Sequence, residues 1–302
     1  MQGFASMSRW VVAVFFVATG CLAQQATISL PTPDAGDLVR QAVENQMKAV
    51  KDPSARFMFR GTKTTPRGSA TKVYVQTKEA TAGMVVAYDG KPLTPEQRQA
   101  ELARIERFLK NPDELKKKHR QEQEDAERSL RVLRAIPDAF LFEYAGEQPS
   151  APGVGRPGQS LTILKFRPNP DYEPPSRIEQ ALAGMEGTVL VDAKSKRLAA
   201  IEGTLVKDVA FGWGILGHLD KGGHILLQQQ EVSNGYWAMS RMNLDFTGKV
   251  LLVKSLAVST TDVFSEYKPV PPGLTFADAI ELLKKEELVF AENLSSAKNG
   301  SR

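Results

Sequence analysis

Ten short segments rich in β-branched and aromatic residues follow one another along this chain with turns, not helices, between most of them. Three lie at residues 56–61, 71–77 and 83–88. Seven more lie at 140–144, 161–166, 187–191, 198–206, 225–232, 236–244 and 250–258. Strands at such close spacing leave no room for crossover helices, so they must pair as an antiparallel meander and not as a βαβ fold. Gly68-Ser69, Thr81-Ala82-Gly83, Ala193-Lys194-Ser195-Lys196 and Thr247-Gly248 read as turns between them. Asn234-Gly235 is the strongest hairpin signal, because both residues tolerate positive φ. The fold class is therefore mainly β, within the α+β class.

Helices flank and interrupt this pattern. Leu38, Val39, Ala42, Val43, Met47 and Val50 recur at three- and four-residue spacing and predict an amphipathic helix from about Asp34 or Asp37, stopped by Asp52-Pro53. Residues 94–136 read as two helices in which nearly half the residues are charged. Thr94 caps the first, Pro95 takes its first position, and Leu102, Ile105, Phe108 and Leu109 form a modest apolar stripe. After Asn111-Pro112 the second runs to Pro137, with Leu115, Ala126, Leu130 and Leu133 on one face. The basic run Lys116-Lys117-Lys118-His119-Arg120 is offset at once by Glu122, Glu124, Asp125 and Glu127. The segment thus reads as a solvated helical hairpin, an exposed insertion replaceable by a linker, and not as a nucleic-acid or headgroup surface. Residues 146–159 and 167–175 read as loops. The expected organisation is a linker at 24–33, one β-rich domain at 34–287 carrying the insertion 94–136, and a disordered tail at 288–302.

The N-terminus reads as an address. Arg9 is the only charged residue before Asp34 and precedes an apolar run at 10–18, about nine residues where a membrane span needs roughly 20. A positive flank, a short apolar stretch and then small residues make a secretory signal peptide. Ala18-Thr19-Gly20-Cys21 resembles a bacterial lipobox, which would make residues 1–20 the leader and Cys21 the lipidated first residue. Cys21-Leu22-Ala23 offers ordinary signal peptidase a cut after residue 23 instead. Both sites stay open. With Cys21 lipidated, Leu22 after it directs the protein to the outer membrane; otherwise the expected location is the periplasm.

Chemistry is sparse. Cys21 is the one cysteine, three histidines are present, and the net charge of +4 is too small to imply nucleic acid. His218, Asp220 and His224 are metal-ligand types, but Lys221 stands among them, so they read as polar residues of a Gly-punctuated connector at 211–223. There is no Gly-x-Ser-x-Gly, and Gly212-x-Gly214 with Gly217 does not sit in a βαβ unit. We expect no enzyme activity, no cofactor and no metal.

Three stretches carry a family resemblance. They are Val85-Val86-Ala87-Tyr88-Asp89-Gly90-Lys91, then Gly187-Thr188-Val189-Leu190-Val191-Asp192 with Arg197-Leu198, and Val270-Pro271-Pro272-Gly273. Together they resemble the periplasmic and outer-membrane lipoprotein carriers of the Lol lipoprotein-sorting system. The resemblance implies an open antiparallel half-barrel covered by helices, with an apolar concave face that shelters acyl chains. It implies an exported protein that binds lipid or an acylated protein as carrier or sensor, at the envelope membrane if lipidated. The alternative is a non-catalytic structural or protein-interaction lipoprotein of the outer membrane. On the lipid reading, Trp213, Ile215, Leu216 and Leu219, unusually apolar for a connector, line or gate the groove mouth, and Trp237 is a further groove candidate. On the other, the connector residues plug one end of the barrel.

Overall fold

Helix α1 (Ala35–Val50) precedes strands β1 (Phe57–Thr65), β2 (Gly68–Gln76), β3 (Thr81–Tyr88) and the two-residue β4 (Lys91–Pro92). Helices α2 (Pro95–Lys110) and α3 (Pro112–Ala139) follow, then β5 (Phe140–Pro149) and β6 (Ser160–Pro168). A single turn of helix, α4 (Arg177–Gln180), leads to β7 (Met185–Asp192), β8 (Arg197–Leu205), β9 (Val209–Phe211) and β10 (Gly217–Leu219). Three long strands, β11 (His224–Ser233), β12 (Tyr236–Val250) and β13 (Lys254–Pro269), and helix α5 (Phe276–Asn299) complete the chain. These elements come from a computed structural model that describes residues 34–50, 52, 56–211, 217–250 and 254–299. The leader, Cys21 and the linker 24–33 lie outside the described residues.

The strands form one antiparallel sheet in the order β4-β3-β2-β1-β13-β12-β11-β8-β7-β6-β5, with the β9–β10 hairpin appended to β12. Among the described residues its two ends do not pair, so this is an open half-barrel. Side-chain alternation defines two faces. The register aligns Ile201 with Leu227, Leu227 with Met242, Met242 with Asp262, and Asp262 with Lys63. We call the side they share the first face. Helix α1 and the end of α3 cover it over β5–β8, burying Val39, Ala42, Ala139, Leu164, Val189, Leu198 and Leu205. Helices α2 and α5 cover the opposite face over β1–β3, burying Val73, Val75, Met84, Ile105, Ile280 and Leu283. The helices thus cover the sheet from both sides.

The helical hairpin is part of the core, contrary to the expectation of an exposed insertion. Thr94 does close a capping box with Gln97. Ile105, however, is only 2% exposed, and Leu102 and Phe108 pack beside it, whereas Leu109 faces solvent. The charges also have a structural task. Strand β3 is barely covered by β4, and its open backbone groups need partners. Glu101 accepts from the Val85 amide (2.7 Å), Arg104 donates to the Gly83 carbonyl (2.6 Å), and Glu122 accepts from the Thr81 amide (2.9 Å). Helix α3 then carries the chain from the β3 end of the sheet to β5 at the other. Leu115 packs in one core, and Ala135 and Ile136 in the other.

Other expectations also change. The chain from 288 to 299 is not a tail but the last turns of α5, held by Phe290 under the Arg60 guanidinium (4.5 Å) and by buried Glu287 paired with Arg98 (2.8 Å). Thr247-Gly248 is no turn: β12 runs straight through it, and Gly248 is required because a Cβ there would stand 2.1 Å from the His218 carbonyl oxygen. Asn234 and Gly235 do form the β11–β12 hairpin, at φ 43° and 86°.

Candidate functional site

On the first face, between the end of α1 and strands β1, β13 and β12, a groove of about 420 Å³ lies open. Its walls follow from the register. Phe57 and Phe59 alternate onto this face of β1, and β13 lies antiparallel beside it, bringing Phe264 and Tyr267 alongside. The Phe59 ring stacks between Tyr74 and Tyr267, at 5.0 Å from each, and meets Phe264 edge-on at 6.1 Å. Phe57 is edge-on to Tyr236 and Tyr267, both at 6.0 Å. Trp237 and Met239 of β12 complete the far wall, and Gln46, Ala49 and Val50 of α1 form the near one. Aromatic rings in this arrangement give a large apolar surface with little side-chain freedom to lose.

Its polar groups are few. The Tyr267 hydroxyl donates to the Met239 carbonyl (2.6 Å), and burial pushes this phenol well above its ordinary pKa. Behind the lining residues, burial also raises Tyr74, which stacks on Phe59, helped by the charge of Asp262. Asp262 is itself raised by burial, with Lys63 at 3.9 Å only partly opposing this. Arg197 enters from the start of β8 and is only 8% exposed. It lies over the Trp237 ring at 5.8 Å, and one terminal nitrogen donates to the Asn45 carbonyl of α1 at 3.3 Å. Burial depresses its pKa.

The residues singled out from sequence divide. Trp213, Ile215 and Leu216 lie outside the described residues. Leu219 packs against the α1-side core, paired with Gly248 and Val209, and is not among the residues lining this groove. Trp237 does line the groove, eleven residues back along β12 from Gly248, roughly 35 Å at the rise of a strand. The structure does not bring Leu219 and Trp237 together. Sequence reasoning missed Phe57, Phe59, Phe264 and Tyr267; paired aromatics at i and i+2 of β1 were the available signal. Of the histidines, His218 pairs with Asp220 (3.1 Å) and His224 with Glu202 (3.2 Å). No cluster of three metal-ligating side chains occurs among the described residues. A larger depression of about 720 Å³ along β5–β8 is rimmed by Glu143, Lys165, Arg167 and Glu186, a mixed-charge surface ill suited to an apolar ligand.

Fold and site together define an open antiparallel β half-barrel with an aromatic groove beside its first helix. No family model and no curated protein matches the chain. Among solved structures it is similar to a DUF1329 family protein from Desulfovibrio piger, at 11% identity and a TM-score of 0.27, over 83% of this chain and 99% of that one.

Proposed function

We propose that this is an exported envelope protein that binds lipid, or the acyl chains of a lipoprotein, in the groove beside α1, as a carrier or sensor and without catalysis. The observation that carries this reading is the groove itself: about 420 Å³, with seven aromatic or methionine side chains on its walls. Each methylene of an acyl chain removed from water gains roughly 0.8 kcal/mol. A chain of about ten buried methylenes therefore has several kcal/mol available even after its ordering cost, with no catalytic group required. The signal-like N-terminus and the resemblance to the Lol lipoprotein carriers support the same reading. Native mass spectrometry of protein prepared from a membrane-containing host tests it. Co-purifying lipid that is lost in Phe59→Asp is the expected result. Its repeated absence would favour a structural or interaction lipoprotein with no ligand. Cys21→Ser separates the two leader cuts: if Cys21 is lipidated, this change moves the protein from the membrane fraction to the soluble one.

A further inference from the structure

Arg197 stands apart from the half-buried arginines by its lack of a carboxylate partner; an unpartnered buried Nε it shares with Arg60. Arg60 pairs with Glu266, Arg98 with Glu287 and Arg104 with Glu101. Arg197 is more deeply buried than any of these, yet no carboxylate pairs with it among the described residues. Its Nη1 donates to Asn45, while its Nε is buried with no hydrogen-bond partner. Nη2 donates to no other described residue, so the Nε–Nη2 edge of the guanidinium has no partner among them. That edge is the planar two-donor fork that grips a carboxylate or phosphate side-on. A buried guanidinium with unused donors is costly unless a partner completes it. Arg197 lines the aromatic groove, its guanidinium over the Trp237 ring. Of the groove's lining side chains only Asp52 is acidic, and it is exposed.

We infer that the groove takes an anionic amphiphile, whose carboxylate or phosphate head seats on the Nε–Nη2 edge of Arg197 while its chain lies along Phe57, Phe59, Phe264 and Tyr267. This deepens the lipid-binding reading and rests on it. The competing account is structural: Arg197 merely braces the end of α1 through Asn45 and carries no preference for any head group.

Three ligands of equal chain length separate these accounts: laurate, dodecyl phosphate and the neutral dodecanol. Binding is read from Trp237 fluorescence in the full chain carrying Trp10→Phe and Trp213→Phe. The two anions should bind at least tenfold more tightly than dodecanol, a difference of about 1.4 kcal/mol. Arg197→Gln should bring all three within threefold of one another and leave dodecanol unchanged, and Arg197→Lys should retain part of the preference. Acetate and inorganic phosphate at millimolar concentration should not displace dodecyl phosphate. Displacement by phosphate alone would make this a free-anion site and overturn the amphiphile. Equal binding of all three ligands to the parent protein, or an anion preference that survives Arg197→Gln, would overturn the role of Arg197 and leave lipid binding intact. Failure of all three to bind the parent protein would overturn the lipid reading itself. If Arg197→Gln does not fold, the preference of the parent protein decides the matter, with Arg197→Lys as the folded variant.

Discussion

Ile105→Ala measures whether the charged helical hairpin belongs to the core. Ile105 is 2% exposed and packs among Phe108, Phe276 and Ile280. The substitution removes three carbons, which at about 0.8 kcal/mol each costs about 2.4 kcal/mol in transfer energy alone. A cavity term adds to this. A small void of about 160 Å³ already adjoins Ile105, however, and gives its neighbours room to relax. The total therefore falls in the lower part of the range for Ile→Ala, about 3 kcal/mol. In a domain of this size that lowers Tm by roughly 6–12 °C. Leu109→Ala on the same helix, at a side chain 43% exposed, should stay within about 0.5 kcal/mol of the parent. Urea unfolding followed by far-UV circular dichroism gives both values. The reasoning fails if Ile105→Ala matches the parent protein. It fails equally if the helices melt in a separate early transition while the sheet unfolds as before.

Three further outcomes follow from the same contacts. Gly187→Ala should cost about 3 kcal/mol or abolish soluble expression, because its Cβ would stand 1.9 Å from the Glu202 carbonyl oxygen across the β7–β8 pair; yield and Tm report it. Burial alone would raise the Glu101 carboxyl, but the Arg104 guanidinium and the Val85 amide hold it below the usual carboxylate range. Its contribution is then present above its unfolded pKa and lost as pH falls through the native value, so Glu101→Gln should lower stability by about 1–2 kcal/mol at pH 7 and by much less near pH 3 in pH-dependent melts. Asp262 has the opposite sign: burial raises it, so its native form favours the proton and its contribution declines as pH rises from the unfolded toward the native pKa. Asp262→Asn should therefore raise Tm at neutral pH and lose that advantage in acid.

The strands were legible in the sequence because β-branched and aromatic clustering is a local property. Errors arose where one residue type serves two ends. Glycine signals a turn at 81–83 and at 247–248, yet Gly83 lies under the Tyr74 ring, 3.1 Å from where its Cβ would be, and Gly248 lies against the His218 backbone. Both are glycines of close packing, which only the neighbouring strand reveals. Charge density in α2 and α3 was read as solvation. Part of it instead completes the hydrogen bonds of the β3 edge, a demand set by the sheet and invisible along the helices. The end of α5 has the same origin, since Glu287 is tolerable in the interior only because Arg98 reaches it from α2.

The groove was the least legible feature, because it exists only through the pairing of β1 with β13, which stacks Phe59 on Tyr267 across more than two hundred residues of chain. One of its determinants was nonetheless in plain view. Helix α1 ends at Val50, as the Asp52-Pro53 stop predicts, and Ala49 and Val50 form the groove wall at that end. Over β5–β8 the first face is sealed by α1 and α3; over β1–β3 the helices sit on the other side of the sheet. Where the cover changes sides, the first face of β1, β13 and β12 keeps its aromatic rings and loses its lid. The change of helical cover from one side of the sheet to the other thus leaves this groove beside the end of α1.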